Sequence, residues 1–545
     1  MFDLRDVTSA DVVLEGGTVR TLDEEGTISE AVAVKGNRIV ATGTTAEIRQ
    51  LVGPHTTVVE LAGRTVLPGF GDVHLHLASD AANAAMVDVR DLFTGIHSIP
   101  QILEAMRAKA AVTPKGEWVV GRGSPIQELR LDERRRLTRE DLDPVLPDHP
   151  AYVSFGAHVT QANSLALKEK GITRDTPEPA GGTIVKDPVT GEPTGVLLER
   201  AQFLVKEKRR HVPQEELEEN VLRLLEECRR NGATTIHEIV ASPAEVLAYV
   251  NLANKGLLPI RVQLIVRVIE SEIDKEALLQ LGVIQGMGSD MLKIGGIKMS
   301  VDGGTTGRNG AFSEPLTDGS TGIIRIEQAE LDDTVMRYHK MGMRICTHTV
   351  GDVAHAMTMK AYEKALTEFP RADHRHRIEH FGNWMFTQEK LDWATRFDVL
   401  PMPNPTGLRH VADIYEPLLG PERFADSYRF GTIIRAGFKS SFGSDGPGGY
   451  PIIPLRDVGT LVSRRTANGN VINASEAMTL DEALRAQTVN AAYAGFMEDK
   501  LGTIEAGKLA DLVVLGEDPY EYPIEDFINL PVDAVVVDGV LTELR

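Results

Sequence analysis

Two histidines, His74 and His76, stand two positions apart after an apolar run, Thr65-Val66-Leu67, that Pro68-Gly69 interrupts. On a strand, positions i and i+2 point to one side. Both imidazoles can then aim at one point, which suits a divalent metal. A bare His-x-His also occurs in strands that bind nothing, so the pair needs support from the rest of the chain. A series of ionisable residues supplies it, each following an apolar, strand-like segment. His237 follows Thr234-Thr235-Ile236, Lys298 follows Ile294-Gly295-Gly296-Ile297, and His348 follows Ile345-Cys346-Thr347. His380 follows Arg377-Ile378-Glu379, and Asp445 follows Phe442-Gly443-Ser444. In a parallel α/β barrel the reacting groups sit at the C-terminal ends of the strands, so this order describes one open face.

The elements that must carry these residues alternate from Thr65 to about Phe496. Helices are expected at Ser98–Ala111, Pro213–Asn231, Ser242–Asn254, Asp274–Leu281, Gln328–Met341, Ala354–Phe369, Thr387–Ala394 and Ser475–Asn490, with apolar strands between or beside them. Such alternation predicts a parallel sheet, and about eight repeats predict closure. The expected fold is α/β, a TIM-like (β/α)8 barrel over 67–497. Residues 1–66 and 498–545 read as short strands around Gly-containing turns, and are expected to join in one composite β-sandwich. Residues 112–212 break the alternation and are expected to form an inserted, partly β region near the barrel mouth. His158, within Gly156-Ala157-His158-Val159, lies there and could reach a substrate or make only local hydrogen bonds. Asp302-Gly303-Gly304-Thr305-Thr306-Gly307 reads as an active-site loop, because no helix start follows directly as a phosphate cradle requires. His55, His97, His149, His211, His339, His355, His374, His376 and His410 have no spacing argument and are expected on surfaces or helices.

Composition narrows the partners. The 545 residues carry a formal charge of −21, which opposes binding to nucleic acid or an anionic membrane surface. A small-molecule substrate is expected instead. With 42% hydrophobic residues there is ample material for a large core. The two cysteines make neither a disulfide framework nor a cysteine metal site. Met1–Asp6 lacks a basic-then-apolar signal, and no run of about 18 apolar residues occurs, so a cytoplasmic protein is expected. A homo-oligomer, in the simplest case a dimer, is expected as well.

Six segments, Pro68–His76, Gly295–Gly303, Thr347–Asp352, Arg377–His380, Gly443–Pro447 and Gly502–Leu512, together resemble the amidohydrolase superfamily. Within it they are most similar to the family 3 branch that contains N-substituted formamide deformylase and many uncharacterised metal-dependent hydrolases. The resemblance implies a metal, expected to be zinc, held by His74, His76, His348 and His380, with Asp445 as both ligand and proton shuttle. It also implies that Lys298 is carboxylated and bridges two ions; a free ammonium, with a pKa of about 10.4, cannot bridge cations. If Lys298 stays cationic, one ion is expected. Glu379 is then expected to orient a ligand, while His237, His158 and Asp302 are substrate-facing or one layer behind. The implied activity is hydrolysis of a C–N bond, amide or N-formyl, by metal-activated hydroxide. Ester or lactone hydrolysis, deamination or decarboxylation on the same site, or an inactive metal-binding protein, are the alternatives.

Overall fold

The computed structural model describes residues 9–124, 127–156, 158–206, 212–305 and 308–544. Met1–Asp6, Ala157, His211, Thr306 and Gly307 lie outside them. Seven parallel strands form the central sheet. They are Phe70–Leu75 (β1), Ala233–Val240 (β2), Arg261–Arg267 (β3), Leu292–Ser300 (β4), Ile345–His348 (β5), Arg377–Glu379 (β6) and Leu400–Met402 (β7). Their order in the sheet is their order in the chain. Helices cover the outer face, which is why the strands read as continuous apolar runs rather than alternating ones. The helix Gln214–Arg230 shows the logic. Leu217, Val221, Leu224, Leu225 and Cys228 recur along one stripe and are buried, with acids in the first turn and arginines in the last.

The segment before Asp445, Lys439–Gly443, forms no ladder that could serve as the eighth strand of the expected barrel. Residues 443–446 instead meet β1 through two backbone bonds, Asp445 N–H to His74 O at 2.9 Å and His76 N–H to Gly446 O at 2.8 Å. Gly443 approaches so closely that any Cβ there would overlap His74. The result is a curled parallel sheet with an irregular segment along the outer edge of β1. The helix expected at Ser475–Asn490 is broken at Thr488 into Leu480–Gln487 and Val489–Ala494. The second piece lies against the N-terminal end of the sheet. Ala494 O accepts from Arg344 Nη1, Gly495 O from Gln263 Nε2 at 3.0 Å, and Tyr493 O from Arg375 Nη1. Side-chain donors, two of them arginines, thus bind carbonyls at the end of this helix.

The two ends of the chain share sheets. Thr65–Pro68 pairs in parallel with Thr18–Arg20 and antiparallel with Leu512–Leu515, within a six-stranded sheet. A four-stranded sheet contains Val12–Glu15, Ala31–Lys35, Arg38–Gly43 and Thr57–Glu60. Leu14, Val34 and Leu61 of the N-terminal segment pack with Leu512 and Val536 in one apolar cluster. Arg261, at the start of β3, ties the C-terminal strands to the central sheet. It donates to both Asp511 carboxylate oxygens at 2.8 Å and to Asp538 at 2.9 Å. The inserted region forms a further six-stranded sheet over Val119–Gly123, Ala151–Phe155, Val159–Ala162, Gly182–Lys186 and Pro193–Glu199, and Val87–Asp88 joins it from before residue 112. Among the described residues, no helix is long and apolar enough to cross a membrane.

Of the histidines expected on surfaces or helices, His339 and His355 lie on helices, and His149, His339, His355, His374 and His376 are buried. Three of them form a relay. His376 Nδ1 accepts from Ile345 N–H at 3.1 Å, so its Nε2–H faces His339 Nδ1 at 2.9 Å, and His339 Nε2 meets Phe369 O at 2.7 Å. His374 Nδ1 accepts from His376 N–H at 2.9 Å. Each ring must be neutral to accept these bonds. Burial accordingly lowers all three, His374 from 6.5 to about 4.

Two outcomes are expected. Asp511→Ala leaves the buried Arg261 with Asp538 as its remaining carboxylate and two donor bonds unmade, and should cost about 1–3 kcal/mol of stability by chemical denaturation; an unchanged midpoint would contradict the role given to this pair. The unfolded chain takes up the His374 proton near pH 6.5 and the folded chain only near 4. This contribution to stability is therefore intact above 6.5 and is lost as pH falls from 6.5 towards 4. Denaturation midpoints should fall across that window, and fall less in His374→Gln.

Candidate metal centre

β1 is not a regular strand where the histidines sit. Against β2, Asp72 pairs with Ile236 and Leu75 with Glu238, so β1 carries one extra residue around Val73-His74. Such a bulge re-aims side chains and is common beside active sites. His74 is buried and His76 begins the turn into the helix Leu77–Ala81, with ring centroids 5.4 Å apart. Asp72 braces both sides of the seam, accepting from His74 N–H at 3.2 Å and from Ser444 N–H at 3.1 Å. Burial raises its carboxyl to about 7.

One ligand atom each from His74, His76 and Asp445 lie within 4.8 Å of one another. Asp445 Oδ1 is 3.4 Å from His74 Nε2 and 3.2 Å from His76 Nε2. Tetrahedral ligands at about 2.1 Å from a metal are about 3.4 Å apart, so the three atoms fit a small divalent cation. Around them stand the other residues singled out from the sequence. Lys298 Nζ is 3.3 Å from His74 Nε2 and the residue is 1% exposed. The His380 ring lies 5.1 Å from that of His74 and 4.6 Å from that of His348. The site opens at His76 and Asp445, whose side chains are 30% and 36% exposed.

Each imidazole is held from behind. Glu379 Oε2 accepts from His74 Nδ1 at 2.7 Å, which leaves Nε2 facing the centre. Burial alone would raise the Glu379 carboxyl, but Arg377, then His74 and Lys298, hold it well below its usual range. Arg377 Nε donates to Glu379 at 2.6 Å, and its Nη2 donates to Val73 O at 2.8 Å. Asn404 Oδ1 accepts from His380 Nδ1, and Asn404 Nδ2 donates to Gly443 O at 2.9 Å. Burial, with the Lys298 charge, brings His74 down to about 3, keeping it in the neutral form that a metal requires. Burial also brings Lys298 down to about 8.

The remaining residues take different places. Asp302 is fully buried and accepts from the Ala311, Val350 and Gly351 N–H groups at 2.9, 3.0 and 2.8 Å. It organises the loop beside His348, 3.8 Å from that ring's Nε2. His237 lies in the middle of β2 rather than at its end, and is 1% exposed. It accepts from Arg377 Nη1 at 3.1 Å and reaches His74 only through Arg377 and Glu379. His158 is in the inserted sheet region, 2.8 Å from Glu199. Sequence reasoning passed over Asp72, Asn404, Arg90 and Arg122. Asn404 had a signal, a polar residue directly after the apolar β7. Arg90 had none. Its Nη1 donates to Asp80 at 2.9 Å and to Pro447 O at 2.7 Å, and Arg122 donates to the same Asp80 oxygen at 2.7 Å. A groove of about 1060 Å³ beside the helices Asp352–Glu368 and Gln388–Phe397 is lined by none of these residues.

Comparisons with known proteins agree with one another. The chain is 29% identical to N-substituted formamide deformylase of Arthrobacter pascens over 97% of this chain and 98% of that protein. It is 29% identical to YtcJ of Bacillus subtilis over the same shares, and 27% identical to LONG AFTER FAR-RED 3 of Arabidopsis thaliana over 97% of this chain and 91% of that one. Among solved structures, an uncharacterized metal-dependent hydrolase from Pyrococcus horikoshii superposes with a TM-score of 0.73 at 23% identity, covering 94% of this chain and 99% of that one, a likeness of fold. Residues 57–542 match the amidohydrolase family, and the chain belongs to it.

Proposed function

We propose that the protein is a metal-dependent hydrolase that cleaves the C–N bond of an amide or N-formyl compound. The observation that carries this reading is the convergence of His74, His76 and Asp445 on one point, open on the Asp445 side. In this reading the seven strands and the 443–446 segment form a closed (β/α)8 barrel, and the sheets of the two termini form one sandwich beside it.

His74, His76, His348 and His380 would hold the metal through ring nitrogens and Asp445 through oxygen, a donor set that suits zinc. A metal bound there would polarise the scissile carbonyl and lower the pKa of water to about 7. Asp445 faces the opening; burial alone would raise its carboxyl, but the His76 hydrogen bond and the neighbouring imidazoles hold it well below its usual range, as the anion that can accept a proton. Its free carboxylate oxygen takes a proton from the attacking water and returns it to the leaving nitrogen. Glu379 and Asn404 fix which ring nitrogens of His74 and His380 face the site. Lys298 as an ammonium 3.3 Å from His74 Nε2 would repel a cation on that nitrogen. Reaction of its free amine with carbon dioxide, with loss of a proton, places carboxylate oxygens there instead, and the site then takes two ions. The choice of a C–N bond draws on the relative named N-substituted formamide deformylase.

The test is metal analysis joined to a panel of N-formyl amines, N-acyl amines, esters and lactones. Bound metal, amide turnover that chelation abolishes and zinc restores, and a fall in kcat of about 10²–10⁴ in Asp445→Asn are expected. Turnover by metal-free protein, or tight metal with no turnover of any amide, would sink the reading. Glu379→Gln should weaken metal binding by about 10–100-fold in competition with a chelator; unchanged affinity would remove Glu379 from its role.

A further inference from the structure

The face of the central sheet that His237 shares with Arg377 carries further cations that the proposed chemistry does not use. His237, Gln263 and Lys293 are register partners on β2, β3 and β4, and register partners in a parallel sheet project to one face. Gly295, two residues beyond Lys293, belongs to the same face. A Cβ there would lie 3.1 Å from Gln263 Cβ and 3.1 Å from Arg344 Nη2. Arg344, just before β5, thus lays its guanidinium over Gly295, next to Gln263. The turn that follows the helix Val489–Ala494 closes this space. A Cβ on Gly495 would lie 2.5 Å from Gln263 Nε2 and 3.1 Å from His237 Nε2, and Ala494 O accepts from Arg344 Nη1. His237, Gln263 and Arg344 therefore all bear on residues 494–495. Lys293, half-buried, is close enough to feel the Arg344 charge.

This cluster is rich in positive charge and poor in partners. Arg344 is fully buried, and its Nε and Nη2 have no hydrogen-bond partner among the described residues. His237 Nδ1 accepts from Arg377, which can only donate, so Nε2 of this neutral ring carries the hydrogen. That N–H is buried and also lacks a partner among the described residues. Neither Arg344 nor Lys293 has a carboxylate partner among the described residues. The nearby acids are committed elsewhere. Glu379 serves Arg377 and His74, Asp511 serves Arg261, and Asp290, which acts on Lys293 from a distance, is held by Lys500 at 2.7 Å. Burial lowers Arg344 from 12.5 to about 10, and burial with the Arg344 charge lowers Lys293 from 10.5 to about 8. Both still carry charge at neutral pH, and a buried charge without a counter-charge is costly. Water would satisfy the N–H groups but not the charge.

We propose that Arg344, Lys293 and the Nε2–H of His237 hold one small inorganic anion, a halide such as chloride, at the base of the central sheet. Its single negative charge answers the Arg344 guanidinium, and it accepts the unmatched N–H groups of Arg344 and His237. A halide suits the set because it brings no donor of its own and is spherical. Donors arriving from β2, β4 and the start of β5 can therefore share it. The site is separate from the candidate metal centre, which His237 reaches only through Arg377 and Glu379, and it does not rest on the C–N reading.

Bromide can replace chloride and is located by its anomalous scattering. Crystals of the full chain soaked in bromide should show an anomalous peak in contact with Arg344 Nη2 and His237 Nε2. In solution, the chloride NMR line should broaden in the presence of the protein, and bromide should reverse the broadening. The thermal midpoint should rise when chloride replaces gluconate at constant ionic strength. Lys293→Met should weaken chloride binding by about 10–100-fold, and Arg344→Met should abolish it. Gly495→Ala puts a methyl beside His237 Nε2 and should weaken binding as well; with Lys293→Met it decides the matter if Arg344→Met does not fold. Water in place of bromide at this position overturns the inference. So does a peak in crystals with no chloride effect in solution, or chloride binding that neither Lys293→Met nor Gly495→Ala weakens.

Discussion

The centre depends on one buried chain of charge, Arg377 to Glu379 to His74. A carboxylate with no exposed surface is costly unless it is paired and fully hydrogen-bonded. Arg377 supplies that pairing, and its other nitrogens reach Val73 O and His237. One guanidinium therefore joins β1, β2 and β6 and also decides that Glu379 is an anion. As an anion Glu379 can only accept, so it takes the Nδ1–H of His74 and turns Nε2 toward the site. The polar interior is the reason the sheet can be both a core and a binding face.

Around that fixed base the site is assembled from distant parts of the chain. Asp445 reaches β1 through irregular backbone, not through a strand, and two backbone bonds set its position. Arg90 and Arg122 then bind Asp80, just beyond His76, and Arg90 also holds the carbonyl of Pro447, two residues beyond Asp445. The inserted sheet is in this way anchored to both of these segments of the candidate site. Its second contribution, the His158–Glu199 pair, stands on the far side of the glycine loop from His348. Strands and the turns at their ends carry His74, His76, His348 and His380, whereas loops and the inserted sheet shape what can approach them.

Much of this arrangement was legible because barrel-type chemistry has a sequence form: an ionisable residue directly after an apolar run. His74, His348, His380 and Lys298 all follow that form, and they meet in space. Helices with a clear apolar stripe, such as Gln214–Arg230, were readable to within a residue or two at their ends. What was not legible depends on pairing. The bulge in β1 is a matter of register against β2. His237 follows an apolar run in the same form, yet its strand runs on through Ile239-Val240, which leaves it in mid-strand rather than at the open face. The break at Thr488 serves contacts with Arg344 and Gln263, distant in sequence. Buried histidines such as His374 and His376 satisfy backbone groups of neighbouring segments, and no local spacing announces that. Arg90 is informative only through the three segments it joins.

The helix Val489–Ala494 has a consequence for how the protein is made. Its carbonyl ends cap arginines and a glutamine that project from the N-terminal side of the sheet, and soon after it come Asp511 and the strand that pairs with Thr65–Pro68. In a chain made from its N-terminus, Arg344, Arg261 and the edge of Thr65–Pro68 lack these partners until the later segments follow. The face that His74 and His76 line is thus founded on segments made well after them, and its assembly follows their synthesis rather than accompanying it.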